Sequence, residues 1–152
     1  MKLAQALIER AQLKEQIGEL KERLKSNSKV QEGEKPSESP EEILKLIEEK
    51  ISALENFIKR INKTNAEIKF NNFFTISDAI AKRDMLLKKV NVIKSMVSAS
   101  EVDSWRVSRS EIKQVPTIDR KKYQKMSDRL SKEYRDLDLK IQELNWQVEL
   151  LA

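Results

Sequence analysis

The stretch PEEILKLIEEKISALENFIKRINKTNAEI, residues 40–68, decides the fold class of this 152-residue chain. Its apolar residues recur in alternating steps of three and four, which is the heptad pattern of a helix that packs against another helix. The line consists of Leu44, Ile47, Ile51, Leu54, Ile58, Ile61, Asn65 and Ile68. Ser39 is a suitable N-cap, and Pro40 fits the first helical position. The pattern predicts a long helix over residues 40–68.

Three other stretches repeat this pattern and predict helices near residues 2–26, 75–100 and 118–151. The polar segments 27–39 and 101–117 are predicted loops, and both exceed the usual length of a helix–helix connection. With only 2 Gly and 3 Pro, the chain lacks the turn residues of a β-sandwich or barrel. We therefore predict one all-α domain over residues 1–152, either an antiparallel four-helix bundle or two long coiled-coil-like helical hairpins.

The missing residue types exclude most catalytic sites. Without His or Cys there is no imidazole base, no thiolate nucleophile and no ordinary zinc or iron–sulfur site. A phosphate-binding loop rich in glycine cannot be built from two glycines. Ser108, Ser110 and Lys113 have the residue types for Ser–Lys catalysis, but nothing in the sequence adds a supporting pocket. We expect no enzyme activity, no cofactor and no metal.

The N-terminal residues do not form a targeting or membrane segment. Glu9 and Arg10 interrupt the first apolar residues, so the pattern is not that of a signal peptide. No stretch approaches the roughly 18 apolar residues that span a bilayer. We expect a soluble, cytoplasmic protein with no membrane contact.

Positive charge is concentrated in the middle of the chain. Residues 82–135 hold 15 basic and 7 acidic residues, whereas residues 1–81 hold 14 of each sign. A basic run lies on the fourth predicted helix and consists of Lys121, Lys122, Lys125, Arg129 and Lys132. Such a run is usually a solvated helix face. Nucleic-acid binding is the alternative, although no aromatic residues are interleaved for base stacking.

Two arginines occupy positions in predicted helical seams that are otherwise apolar. For both, a structural and a functional interpretation are open. Arg10 and Arg83 each lie seven residues from the end of their helix, at a depth similar to Asn62 and Asn145 in an antiparallel bundle. We favour a polar layer that fixes helix register, because register is the best-attested role of polar residues at seam positions. An anion or substrate pocket is the alternative.

The second long loop contains a further cationic group. Arg106, Arg109 and Lys113 are expected near Glu32 and Glu34 of the other long loop. Salt bridges between the two loops are the simpler interpretation. Binding of an anion or a partner by these cations is the alternative.

Apolar residues beyond a single seam favour association with a partner. Trp146, Leu150 and Leu151 widen the apolar surface at the C-terminal end, and the regular seam of residues 44–68 suits a second helix. We therefore expect a self-associating helical interaction or scaffold protein, whose partner is a second copy or another protein. A nucleic-acid-binding protein using residues 82–135 is the alternative.

Several short strings resemble a family of short bacterial helical proteins without assigned function. The resemblance covers nearly the whole chain and rests on Met1–Ala4 with Arg10–Ala11, Val30–Glu34, Arg60–Asn65, Asp78–Ala79 with Arg83–Asp84, Ser108–Lys113, and Ile141–Gln142 with Asn145–Trp146. It implies a helical fold. Some members are labelled septicolysin, which implies a pore-forming toxin. Because this chain shows neither a membrane-length helix nor a pair of long alternating strands, we carry over the fold and no activity.

Overall fold

The structure is a computed structural model that describes residues 1–102 and 112–152. These residues form four α-helices: α1 is Leu3–Ser26, α2 is Pro40–Glu67, α3 is Ile76–Ala99 and α4 is Arg120–Gln147. The predicted all-α fold is confirmed. By its internal contacts the chain divides into two compact units: unit 1 is Met1–Lys69 with Gln142–Ala152, and unit 2 is Phe70–Ile141.

In unit 1, α1 and α2 pack against each other through aliphatic side chains. Leu20 of α1 meets Ile43 and Ile47 of α2 in a buried cluster. Ser39 caps α2 as predicted, because its side chain accepts a hydrogen bond from the backbone N–H of Glu42. Burial of this aliphatic surface, rather than helix propensity, holds the two long helices together.

The connection between α1 and α2 is fixed by polar contacts at its two ends. The carboxylate of Glu38 pairs with the guanidinium of Arg23, and this hydrogen bond lowers the pKa of Glu38. The side chain of Asn27 accepts a hydrogen bond of 3.0 Å from the backbone N–H of Glu38. Gly33 has a φ of 86°, a conformation that side-chain-bearing residues rarely adopt. The loop is therefore anchored where it leaves α1 and where it enters α2.

In unit 2, α3 and α4 pack through the seams that the sequence predicts. Val90, Ile93 and Val97 of α3 form a buried cluster with Leu130 of α4. Thr75 begins α3 with a capping box, in which Asp78 takes the place usually held by Glu. The turn before α3 is closed by Asn71, whose side-chain oxygen accepts 2.8 Å hydrogen bonds from the backbone N–H groups of Phe73 and Phe74.

Helix α4 is shorter than predicted, because it ends at Gln147 rather than near residue 151. Beyond that point the backbone extends and pairs with the N-terminal residues. The N–H of Leu3 donates to the carbonyl of Val148 at 2.9 Å, and the N–H of Leu150 donates to the carbonyl of Met1 at 2.8 Å. These hydrogen bonds across the chain replace the ones that a further helical turn would have made.

A buried threonine holds the same C-terminal segment against α2. The hydroxyl of Thr64, which is fully buried, donates to the carbonyl of Arg60 at 2.8 Å and accepts from the N–H of Leu151 at 3.0 Å. The Nε of Arg60 donates to the carbonyl of Leu151 at 2.9 Å. The Thr64 hydroxyl and the Arg60 guanidinium thus pair both backbone polar groups of Leu151, which lies beyond the end of α4.

Candidate interaction surfaces

The seam predicted for α2 is partly wrong. Leu44, Ile51 and Ile58 were expected to face inward, but their side chains are 46%, 48% and 36% exposed. Ile43, one residue before the predicted seam, packs with Ile47 against Leu20 of α1, and the buried residues of α2 are Ile43, Ile47, Ile61 and Thr64. We call the exposed line of Leu44, Ile51 and Ile58 the outer stripe.

The outer stripe follows from adjacent apolar pairs in the sequence. Ile43–Leu44 and Phe57–Ile58 place one large apolar residue toward α1 and the next about 100° further around the helix. A helix that packs on one neighbour buries only one of the two lines. These adjacent apolar pairs indicate in the sequence that α2 has a second apolar face. They do not indicate which of the two lines faces α1.

The apolar C-terminal residues differ in exposure. Leu150 is buried and Leu151 is half-buried, and the backbone of both is hydrogen-bonded within unit 1. The side chain of Trp146 is 57% exposed. Of the three residues expected to widen the apolar surface, only Trp146 therefore offers a large exposed area to a partner.

Arg83 has the carboxylate partners that a seam arginine needs. Its guanidinium donates to Asp138 of α4 at 2.9 Å and to Asp84 at 2.9 Å. The side chains of Arg83 and Asp138 are only 25% and 24% exposed. Burial lowers the pKa of Arg83, but the bonds to Asp84 and Asp138 outweigh it and hold that pKa above its usual value. This group ties α3 to α4 within unit 2.

Arg10 lies in a different environment. It is half-buried on α1, and within residues 1–102 and 112–152 no carboxylate forms an ion pair with it. Asn62 is exposed and Asn145 is half-buried. These three residues belong to unit 1 and Arg83 belongs to unit 2. The layer shared by all four, and the anion pocket offered as its alternative, stay predictions.

The predicted loop cluster falls mostly outside the part of the chain that the structure describes. Arg106 and Arg109 lie there, as do Ser108 and Ser110 of the Ser–Lys alternative. Lys113 is described and is exposed, and Glu32 and Glu34 are exposed in the loop before α2. The pairing of the two loops is therefore still a prediction.

The basic run on α4 is a solvent-exposed face, which agrees with the simpler of its two interpretations. All five of its cations are exposed, and they comprise Lys121, Lys122, Lys125, Arg129 and Lys132. Four of them line a shallow depression of about 570 Å³ together with Asp119 and Met126. The arrangement can attract an anion through the field of its charges.

One cation of the run lies against an aromatic ring among the described residues: the ammonium of Lys122 is 5.6 Å from the ring centroid of Tyr123. Tyr123 and Tyr134 are half-buried on the seam side of α4, and Tyr123 packs against the α3–α4 core. Single-stranded nucleic acid is bound by cations together with aromatic faces on which bases stack. The described part of this face offers the cations without the stacking platform, so nucleic-acid binding is not favoured.

A small cleft in unit 2 was not foreseen from the sequence. It has a volume of about 250 Å³ and is lined by polar residues of α3 and α4 that include Lys94, Ser98 and Gln124. The hydroxyl of Ser127 is buried in this lining and has no hydrogen-bond partner among the described residues. A space of this size can hold water molecules that satisfy such a hydroxyl. Nothing in a heptad pattern distinguishes this serine from one on a solvated face.

Neither a metal site nor a membrane-spanning helix is present in the ranges that the structure describes. In the ranges that the structure describes, no three acidic, His or Cys side chains are grouped closely enough to hold a metal ion. No helix within the same ranges is both long and apolar enough to cross a membrane.

Comparison with known proteins places the chain among relatives without assigned activity. Residues 10–150 match the model of a family of unknown function, DUF6847. The chain is also similar to a solved structure described as a functionally unknown conserved protein from Corynebacterium diphtheriae, with 42% sequence identity, 99% of each chain covered and a TM-score of 0.93. No curated protein matches.

The label septicolysin is not supported, because neither the family nor the Corynebacterium structure carries it. The part of the resemblance that is shown is a family without assigned function. No activity can be assigned to the chain from these comparisons. The match over residues 10–150 and the likeness over 99% of a solved chain show that this protein belongs to the family DUF6847.

Proposed function

We propose that this protein is a self-associating helical interaction or scaffold module, which acts by bringing chains together rather than by catalysing a reaction. The observation that supports the proposal is the outer stripe of α2. Three large aliphatic side chains lie seven residues apart on one line of a 28-residue helix, and each is exposed by a third or more. Large apolar side chains aligned on one exposed face of a helix are typical of a contact site.

Burial of this line in a contact contributes a driving force for association. Removing a half-exposed Leu or Ile side chain from water contributes about 1 kcal/mol, so the six stripe side chains of two copies contribute roughly 6 kcal/mol. The entropy lost on association opposes this gain. Binding of this strength depends strongly on protein concentration, and it suits an assembly that forms where the protein is concentrated.

The proposal that the protein is not an enzyme rests on the sequence. Its chain lacks His and Cys, which supply most general bases and reactive nucleophiles, and it lacks the glycines of a phosphate loop. A location in the cytoplasm is part of the same proposal.

Sedimentation equilibrium from low micromolar to millimolar protein tests the proposal. We expect the average mass to rise from that of the monomer toward at least twice that value. The same sample is titrated into labelled single-stranded and duplex oligonucleotides at low and at physiological salt. Steep, salt-sensitive oligonucleotide binding by a protein that stays monomeric would replace self-association by the nucleic-acid alternative.

A further inference from the structure

We infer that the small cleft beside Ser127 in unit 2 binds a small zwitterion, a molecule such as a free amino acid that carries one ammonium and one carboxylate group. Self-association concerns α2 in unit 1, so this site goes beyond the proposed function. Three features of the cleft support it: a buried hydroxyl without a partner, two opposite charges that do not pair, and a set of charges that cancels.

The cleft between α3 and α4 has room for a ligand of this class. Its volume of about 250 Å³ corresponds to about eight water molecules, and a free amino acid contains a similar number of non-hydrogen atoms. The lining is polar except for Val97. A site of this kind, with several polar groups and a small aliphatic contact, is typical of the binding of small polar molecules.

Ser127 lacks the hydrogen bond that two other helical hydroxyls of this chain make. The hydroxyls of Ser26 and Thr64 donate to the carbonyl four residues earlier, at 2.9 and 2.8 Å. Ser127 is 3% exposed, and its hydroxyl has no hydrogen-bond partner among the described residues. Because Ser127 lines the cleft, rotation of its side chain between staggered positions allows the hydroxyl to donate to a bound molecule.

Lys94 lies at the same level of the α3–α4 pair as Ser127. Ion pairs near the two ends of these helices show that they run antiparallel, and one of them joins Glu101, just after α3, to Arg120 at 3.2 Å. Lys94 precedes Glu101 by seven residues, and Ser127 follows Arg120 by seven. Two helical turns in opposite directions bring Lys94 and Ser127 to the same height, on the side of this ion pair.

The charges around the cleft leave one cation and one carboxylate free. Lys94 and Asp128 both line the cleft, and neither forms an ion pair within residues 1–102 and 112–152. The other carboxylate of the lining, Glu101, is already paired with Arg120. These two cations and two carboxylates cancel, so the cleft does not favour a ligand with a net charge.

A zwitterion satisfies all the free groups of the cleft at once. Its carboxylate binds the ammonium of Lys94 and accepts the hydrogen bond of Ser127, while its ammonium donates to Asp128. A simple anion or a simple cation satisfies one charged side chain and leaves the other unpaired. Lys94 and Asp128 are exposed, so water weakens both contacts and we expect a Kd in the millimolar range.

Titration of the full chain, followed by two-dimensional nitrogen–proton NMR, tests the site. Each standard amino acid is added separately, up to tens of millimolar. We expect at least one of them to shift the backbone amide signals of Ser98 and Gln124, which line the cleft, in a saturable manner. The acid that lacks its amino group and the amine that lacks its carboxylate carry one charge each. Both should bind roughly 3- to 10-fold more weakly.

Substitutions in the lining locate the bound molecule. Ser127→Ala, Lys94→Met and Asp128→Asn each remove one contact and should raise the Kd by roughly 3- to 10-fold. Ser95→Ala and Lys132→Met are the matched controls, because both residues are exposed and lie outside the lining. Their Kd should equal that of the natural chain. Circular dichroism confirms that each variant keeps its helices.

The outcomes decide between a ligand site and a cleft filled with water. A cleft that holds only water gives no saturable shift with any amino acid, which overturns the inference. Equal binding of the amino acid and of its analogue without the amino group overturns the zwitterion in favour of a simple anion. A Kd that none of the three lining substitutions changes places the bound molecule elsewhere and also overturns the site. Sedimentation of the same variants reports self-association separately.

Discussion

The helices α2 and α4 have the same length, 28 residues, but they present different outer surfaces. Both use a heptad seam to pack against the preceding helix. On the outside, α2 carries the outer stripe of aliphatic residues, whereas α4 carries cations such as Lys125 and Arg129. Equal periodicity thus accompanies two kinds of outer surface: a cationic face on α4 and an aliphatic stripe on α2.

The difference between α2 and α4 shows under which condition a heptad pattern identifies the face of a helix that packs against the core. In α4 the seam residues are buried or half-buried, whereas Leu139 and Trp146, which lie seven residues apart off the seam, are 58% and 57% exposed. In α2 two adjacent lines compete, and packing against α1 selects the one that contains Ile43. Periodicity gives the spacing of apolar residues, but it does not show which of two neighbouring lines of residues packs against the core.

The largest expected effect is the difference in unfolding free energy between a substitution in the buried line of α2 and one in its outer stripe. Ile61→Ala removes a side chain that is 1% exposed and should lower the free energy of unfolding by about 2–5 kcal/mol. Ile51→Ala on the outer stripe should cost about 1 kcal/mol or less, because roughly half of its side chain already contacts water. Urea unfolding at low protein concentration, where the chain is monomeric, measures both.

A cost for Ile51→Ala equal to that for Ile61→Ala would contradict the assignment of the outer stripe to the surface. Repeating both measurements at high protein concentration sharpens the comparison. The cost of Ile51→Ala should grow there, because unfolding is then coupled to dissociation of the dimer.

The second expected effect compares the arginines of α1 and α3. Arg83→Met deprives Asp138 and Asp84 of their guanidinium partner and should cost about 1–3 kcal/mol, since Asp138 is three-quarters buried. Arg10→Met should change stability by about 0.5 kcal/mol or less, because no ion pair of Arg10 is present in the described residues. Thermal unfolding of the two variants gives the difference directly, and equal losses would argue for a carboxylate partner of Arg10.

The sequence predicted the helical elements well and their ends less well. Ser39 and the pair Thr75–Asp78 are local signals, and both cap the helices that they were expected to cap. The end of α4 was placed about four residues too late. Val148 and Leu151 continue the apolar spacing, but their backbone is drawn out of the helix by pairing with Leu3 and Thr64. Contacts between residues so far apart in sequence are invisible to a local pattern.

The candidate surfaces were predicted in outline. The basic face of α4 could be read from the sequence, because exposed cations need no partner to be recognised. The outer stripe was expected to be a seam, and its exposure depends on where α1 lies. Arg83 was predicted to lie in a polar layer, and the structure shows it paired with Asp138 of α4. Buried Ser127 could not be foreseen, because serine on a helix is usually exposed.

The smallest expected effect contrasts the first turns of α2 and α4. The first turn of α2 contains Glu41 and Glu42, which complement the positive end of the helix dipole. The first turn of α4 contains no acidic residue and begins with three cations, which the dipole disfavours. Lys121→Glu should therefore raise the free energy of unfolding by about 0.3–1 kcal/mol, and Glu42→Lys should lower it by a similar amount.

Salt distinguishes this electrostatic effect from a change in packing. Both residues are exposed, so 1 M salt, with a Debye length of about 3 Å, should remove most of the two differences in unfolding temperature. A gain in Lys121→Glu that persists in high salt would point to altered contacts at the start of α4 instead. If the gain is electrostatic, the natural protein keeps cations at this turn at the expense of stability. Such a stability cost is typical of a face that binds an anionic partner. The stability measurement therefore also tests the role of the basic face of α4.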